Sequence, residues 1–214
     1  MHDFSSLREA VLKGDAPGAA AAAGRLLDEG ADPVAVISQG ISPAMAEVGR
    51  LFEEGEYFVP ELLISARATK GVFEILRPIL ARTGAQPAGR VVLGTVHGDL
   101  HDIGKNLVGA MLEGGGFEVT DLGVSVPPER FVTAAQEKGA QIVGLSALLT
   151  TTLPAMKTAI ETFKTAGIRG KVKVMIGGAP VTQGYADSIG ADGYADNAAA
   201  SVDLARRLVG VGKD

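Results

Sequence analysis

The amino-acid sequence predicts an α/β protein in two parts: a four-helix N-terminal bundle, then a flavodoxin- or Rossmann-like domain with a five-stranded parallel sheet. Three observations predict it. Up to Thr83 the apolar residues recur at helical spacing. From Arg90 onward, short β-branched runs alternate with helical segments, the pattern of crossovers onto a parallel sheet. Between the two lies Thr83-Gly-Ala-Gln-Pro-Ala-Gly89, polar and rich in turn formers. The expected boundaries are a helical domain over 1–83, a linker over 84–89 and an α/β domain over 90–214.

In the first part, Phe4, Leu7 and Val11 mark one helix. Asp15 is placed to cap a second, with Pro17 in its first turn. The run Ala19 to Ala23 favours helix, and Gly30 ends it. Pro33 opens a third helix through Val34, Ile37, Ile41, Met45, Val48 and Phe52. Gly55-Glu-Tyr-Phe-Val-Pro60 breaks it, and a fourth runs from about Glu61 to Leu80. Short turns between four helices describe a small bundle.

In the second part the expected strands are Arg90 to Val96, Phe117 to Leu122, Gln141 to Ser146, Lys171 to Ile176 and a weaker one near Gly193 to Ala195. Helices are expected near Ile103–Glu113, Pro128–Lys138, Pro154–Ala166, Val181–Ile189 and Ala198–Val209. In such doubly wound sheets a ligand sits at the carboxyl ends of the strands, so chemistry is sought just after each strand.

Composition narrows the function. Apolar residues make up 46% of the 214, enough for a sizeable core. The formal charge is −5 with no basic run, which argues against nucleic acid, whose phosphates need clustered Lys and Arg. The absence of cysteine excludes disulfides, thiolate metal sites and cysteine nucleophiles. No apolar run is long enough to span a bilayer, and the first residues lack a signal-type run. A cytoplasmic protein is the expectation.

Gly98-Asp-Leu-His-Asp-Ile-Gly-Lys105 follows the first strand directly. It is neither a dinucleotide fingerprint nor a phosphate loop, because its glycine spacing fits neither. It offers an imidazole, His101, with a carboxylate two residues earlier, Asp99. A carboxylate can hold one ring nitrogen of a histidine and leave the other as a strong metal ligand. The chain has only three histidines, His2, His97 and His101, too few for the three or four protein ligands zinc usually takes. One imidazole suffices if a macrocycle fills the remaining positions, as haem and corrinoids do. A histidine in a strand-to-helix loop is more often a capping or solvated residue, so His101 alone does not decide the matter. His97 reads as a solvated loop residue, and Gly114 to Gly116 as a turn.

Asp99-Leu-His-Asp-Ile-Gly104 matches Asp-x-His-x-x-Gly. Gly94-Thr-Val-His-Gly-Asp-Leu-His-Asp-Ile-Gly-Lys-Asn106 extends it. Three further blocks follow the next strands: Asp121-Leu-Gly-Val-Ser-Val-Pro127, Gly144-Leu-Ser-Ala-Leu-Leu-Thr-Thr-Thr152 and Ile176-Gly-Gly-Ala179. In the helical half stands Val48-Gly-Arg-Leu-Phe-Glu-Glu-Gly-Glu-Tyr-Phe-Val-Pro-Glu-Leu-Leu63. Together these resemble the cap and cobalamin-binding domains of methionine synthase, and more closely the small corrinoid methyl carriers of three-component methyltransferase systems. The resemblance covers nearly the whole chain.

It implies cobalamin or a related corrinoid (methylcobalamin or cob(I)alamin) as cofactor. His101 would be the lower axial ligand to cobalt, Asp99 would hold its other nitrogen, and Thr152 would continue the relay. Capping of the helix before Pro154 is an equal reading for Thr152. Gly98, Leu100, Asp102, Ile103 and Gly104 would border the corrin. Ser146, Leu148, Thr150, Gly177 and Gly178 would border the displaced nucleotide tail, although paired glycines alone read as a tight turn. Phe52 and Val59 match positions that cover the upper face, and read equally as bundle core. The family commonly has an acidic residue near positions 38 and 39; here Ser38 and Gln39 stand, which puts a polar cap contact in doubt. No chemistry is assigned to Lys105 or Asn106.

The implied role is to accept a methyl group on Co(I) from a substrate-specific methyltransferase and hand it to a second one that uses tetrahydrofolate or coenzyme M. A reductive activase is a further candidate partner; nucleic acid and membrane are not. Such a carrier reacts covalently but is not expected to turn over alone. The alternative is a light or B12 sensor, opposed by the lack of room for a DNA-binding domain and the absence of Trp. A mutase subunit is opposed by the helical half. A metal-free regulator module is opposed by the lack of a phospho-acceptor pattern.

Overall fold

The structure, a computed structural model, describes residues 2–83 and 86–210. Residues 84 and 85, where the expected linker over 84–89 begins, lie outside the described residues. The chain divides into two compact units. One holds the N-terminal helices through Pro87 together with Ala110–Gly116; the other holds Ala88–Gly109 and the chain from Phe117 onward.

The helical unit starts with α1 (Ser5–Leu12) and α2 (Ala16–Asp28). The Asp15 side chain accepts from the Gly18 amide, so α2 begins with the expected cap. Gly30 takes a positive φ of 84° and turns the chain out of the helix. The third helical run is not uniform. A short α3 (Pro33–Ala35) gives way to a π-helical stretch over Val36–Ile41, and α4 (Ser42–Glu53) follows. Pro43 has no N–H to donate to the Gln39 carbonyl four residues back. That carbonyl instead accepts from Arg8 Nε at 2.6 Å. α5 (Val59–Thr83) closes the unit and packs Leu62, Ala66, Val72 and Leu76 inward. Gly114, expected only to turn the chain, also has a packing reason. A Cβ there would lie 2.6 Å from Met45 Cγ.

The α/β unit carries five parallel strands in the order β2-β1-β3-β4-β5. They are β1 (Arg90–Thr95), β2 (Glu118–Asp121), β3 (Ile142–Ser146), β4 (Lys173–Gly177) and β5 (Gly193–Tyr194). Between and after them run α6 (Ile103–Gly114), α7 (Pro128–Lys138), α8 (Leu153–Thr165), α9 (Gln183–Ile189) and α10 (Ala198–Val209). The central strands are buried on both faces, which is why they read as unbroken β-branched runs rather than alternating ones. Phe131 and Phe163 meet edge to face with centroids 6.4 Å apart, inside a core of Val92, Val143, Ile160 and Val174.

The strand order reverses between β1 and β3: the chain goes from β1 outward to β2, then back past β1. Thr95 pairs with Ser146 at the last register position of the β1–β3 pair. The loops that leave these two strands therefore start side by side, at the switch point where open α/β sheets bind ligands.

Candidate functional site

The loop after β1 is folded onto its own strand before it reaches the histidine. The Asp99 amide donates to the Val96 carbonyl at 3.1 Å, making a tight turn through Gly98, whose φ is 85°. Thr95, fully buried at the strand end, donates from Oγ1 to the His101 carbonyl at 2.8 Å. These bonds hold Asp99 inward and leave His101 facing out.

Asp99 is completely buried yet fully partnered. Oδ1 lies 2.7 Å from His101 Nδ1 and also accepts from the His101 amide. Oδ2 accepts from the amides of Leu148 and Leu149, at 2.8 and 3.2 Å, and from Thr152 Oγ1 at 2.7 Å. Burial by itself would raise the carboxyl's pKa. The hydrogen bonds from Thr152, His101 and Leu148 outweigh it and hold Asp99 well below the usual carboxylate range. Asp99 is thus a fixed anion tying the β1 loop to the β3 loop.

The consequence for His101 is tautomeric. A carboxylate only accepts, so Nδ1 carries the hydrogen facing Asp99, which in the neutral imidazole leaves Nε2 with its lone pair. The His101 side chain is half exposed. Thr152 is the N-cap residue of α8 but makes no side-chain capping bond; its hydroxyl lies 2.7 Å from Asp99 Oδ2 and 2.9 Å from the Leu149 carbonyl. The structure therefore joins Asp99, His101 and Thr152 in one hydrogen-bonded row.

The segments that form this row expose large apolar side chains beside the polar His97, Asp102, Thr150 and Thr151. Leu100 and Ile103 are 71% and 69% exposed, and Leu148 and Leu149 are 44% and 42% exposed. Such a cluster is unusual for a solvated edge and suits a large, flat, partly apolar ligand. Gly104 is open: a Cβ there would meet no protein atom within 4 Å. Gly178 is different, because a Cβ there would fall 1.9 Å from the Ala147 carbonyl oxygen, and its φ is 131°. Its glycine is demanded by the protein itself, where the β3 and β4 loops touch. Gly177 sits at the end of β4, where a Cβ would meet the Ala195 carbonyl at 3.1 Å. Ser146 ends β3 and Thr150 is exposed on the loop beyond it. Asp102 is exposed immediately before α6. In the helical unit, Phe52 is half-buried on α4 and Val59 is 42% exposed at the start of α5.

Some site residues escape sequence reasoning. Lys105 is 2% exposed, and its Nζ donates to Asp121 Oδ2 at 2.5 Å and to Asn106 Oδ1 at 2.6 Å. This ties the start of α6 to the end of β2. Thr95 and Ser125 also reach the His101 loop. The available signal was position, since Thr95, Asp121 and Ser125 all lie at or just after a strand's carboxyl end.

Among the described residues, no group of three or more His, Cys, Asp or Glu side chains could hold a metal ion. A metal at His101 must bring its other ligands with it. A half-exposed imidazole with one nitrogen locked, an open glycine and an apolar rim fit a corrinoid on these terms.

Fold and site together define a cobalamin-binding protein. A family model described as B12 binding domain matches residues 89–203, and a second, also described as B12 binding domain, matches residues 4–77. The chain is 43% identical over 210 residues to a corrinoid protein of Desulfitobacterium hafniense (strain Y51), covering 97% of each. It is 48% identical over 179 residues to dimethylamine corrinoid protein 1 of Methanosarcina acetivorans, covering 83% of this chain and 84% of that one. Among solved structures it is similar to a cobalamin-binding protein from Desulfitobacterium hafniense DCB-2. There the TM-score is 0.79 at 33% identity, over 97% of this chain and 99% of that one. It is also similar to the methanol:cobalamin methyltransferase complex of Methanosarcina barkeri, with TM-score 0.84 at 30% identity, over 99% of this chain and 81% of that one. The chain belongs to the B12-binding family, among its corrinoid proteins. Among the described residues, no helix is long and apolar enough to cross a membrane.

Proposed function

We propose that this chain is a cytoplasmic methyl carrier that takes a methyl group from a substrate-specific methyltransferase and delivers it to a second one. The observation that carries the reading is the Asp99–His101 pair at 2.7 Å, with Asp99 buried and His101 half exposed. When bound, a corrinoid supplies a cobalt that can accept and release a methyl group.

The chain's own residues prepare for that cofactor. His101 would hold the cobalt through Nε2. Asp99 keeps the Nδ1 proton in place and makes the imidazole a stronger donor. Thr152 holds the Asp99 carboxylate in the orientation that serves His101. The backbone of Gly98, Asp102 and Gly104, with the side chains of Leu100 and Ile103, borders the ring. Ser146, Leu148, Thr150, Gly177 and Gly178 border the cofactor's tail. On this reading Phe52 and Val59, in the helical domain over 1–83, would shield the bound cofactor from water, with residues 84–89 as the linker.

The relatives support this. One is named for dimethylamine, another belongs to a methanol:cobalamin methyltransferase complex, and none of those above supports a sensor. On the same reading the acceptor methyltransferase would use tetrahydrofolate or coenzyme M, and a reductive activase is a further candidate partner.

Reconstitution with hydroxocobalamin tests the reading. The wild-type protein should retain one corrinoid through gel filtration, with a histidine-bound visible spectrum. His101→Ala should lose that spectrum and weaken binding about tenfold or more, in the range seen when a metal site loses a supporting group. Corrinoid that stays free in solution, or an unchanged spectrum in the variant, would overturn it.

A further inference from the structure

Ser125 is the only non-glycine residue with positive φ among the described residues, at 49°. An L-residue holds that conformation at a cost, and it persists where the surroundings over-determine it. The surroundings here are the His101 loop. Ser125 Oγ accepts from the Gly98 amide at 3.1 Å, and the Ser125 amide donates to the Asp99 carbonyl at 2.9 Å. One residue therefore grips the peptide groups on either side of the Gly98–Asp99 bond, where the signature begins.

Its own loop is anchored on either side. The Val126 amide donates to the Thr95 carbonyl at 2.9 Å, and the Thr95 amide donates to the Gly123 carbonyl at 3.0 Å. Upstream, Asp121 receives the buried Lys105 ammonium from the start of α6 and accepts from the Gly123 amide. The segment after β2 is thus fastened to β1 below the histidine and to α6 beyond it. The β3 loop clasps the Asp99 side chain, and the β2 loop clasps its backbone.

We infer that Ser125 is a positioning residue: its strained backbone and Oγ lock the peptides on either side of Gly98–Asp99 so that Asp99 presents His101 at a fixed angle to the cofactor. The inference rests on His101 being the cobalt ligand for its purpose, but the clasp itself does not. Ser125→Gly keeps the positive φ and removes only the hydroxyl acceptor. Ser125→Asn also tolerates this backbone and restores an acceptor.

Two measurements separate the questions. The first is amide hydrogen exchange across residues 96–103 of the cofactor-free protein. Ser125→Gly should exchange about fivefold faster there, the effect of one net hydrogen bond, while Ser125→Asn stays close to wild type. The second is the fraction of bound cob(II)alamin whose EPR signal carries axial nitrogen splitting. That fraction should fall in Ser125→Gly and recover in Ser125→Asn. Unchanged exchange in Ser125→Gly, or equal acceleration in both variants, would overturn the clasp. Faster exchange with an unaltered nitrogen signal would overturn the positioning role. If the wild type shows no nitrogen splitting that His101→Ala abolishes, the ligand reading fails and the positioning role with it, whatever the exchange data show.

Discussion

The two units bury polar groups in opposite ways. Among the described residues of the helical unit the buried polar side chains are Ser65 and Thr69, both hydroxyls on α5. Ser65 reaches the Leu12 carbonyl at 3.2 Å, a neutral bond between neighbouring helices. In the α/β unit Ser201 is buried on α10, and Thr95, Asp99, Lys105 and Thr152 are buried at the end of β1 or in the segments that leave β1 and β3. Two of these are charged, and a buried charge is costly unless fully partnered. The helical unit shows how little polarity a bundle needs to fold. The other unit carries more than folding requires, concentrated where a ligand would sit, and that surplus marks the functional edge.

Substitutions can break this contrast. Asp99→Ala should destabilise the cofactor-free protein by about 3 kcal/mol, because it strands the Leu148 and Leu149 amides without their acceptor and leaves the Thr152 hydroxyl only the Leu149 carbonyl. Ser65→Ala should cost about 1 kcal/mol. Urea unfolding measures both, and similar losses would erase the distinction between the units.

Glycines sharpen it. Gly178→Ala drives a methyl group into the Ala147 carbonyl and should cost about 3 kcal/mol or more, since both the clash and the positive φ oppose it. In α2, Gly24→Ala meets no atom within 4 Å and should stabilise by about 0.5–1 kcal/mol, the helix-propensity gain. Thermal melts of the two variants should move in opposite directions.

Acid gives the gentlest test. Asp99 has a lower pKa folded than unfolded, so its stabilising contribution is complete above the unfolded value of about 4 and fades as pH falls through the folded one. Urea midpoints taken from pH 6 downward should show the gap between wild type and Asp99→Asn narrowing only below about pH 4. A gap that narrows between pH 6 and 5 would mean that another group governs it.

Much of this molecule was legible before its structure. The strand and helix alternation from Arg90 onward translated into the observed order with ends displaced by a residue or two, because burial on both faces writes itself into β-branched runs. Asp15 and Gly30 announced the limits of α2 for local reasons that need no neighbours. The interruption of the third helix was not foreseen, although its cause, Pro43, was in view. A proline says that a carbonyl loses its partner, not that Arg8 from another helix will replace it. Asp99 and His101 were recognisable as a pair because they are two residues apart.

By itself, then, the sequence determined the periodicities, the capping residues and the chemical identity of the ligand loop, since these depend on neighbours along the chain. Only the tertiary structure decided the hydrogen bond from Thr152 to Asp99, the need for Gly178, the burial of Lys105 and the grip of Ser125. Each depends on a partner brought close by the strand order, 53 residues away for Thr152 and Asp99 and 27 for Ser125 and Gly98. The spacing of residues along a chain carries no record of such meetings until the sheet brings its strand ends together.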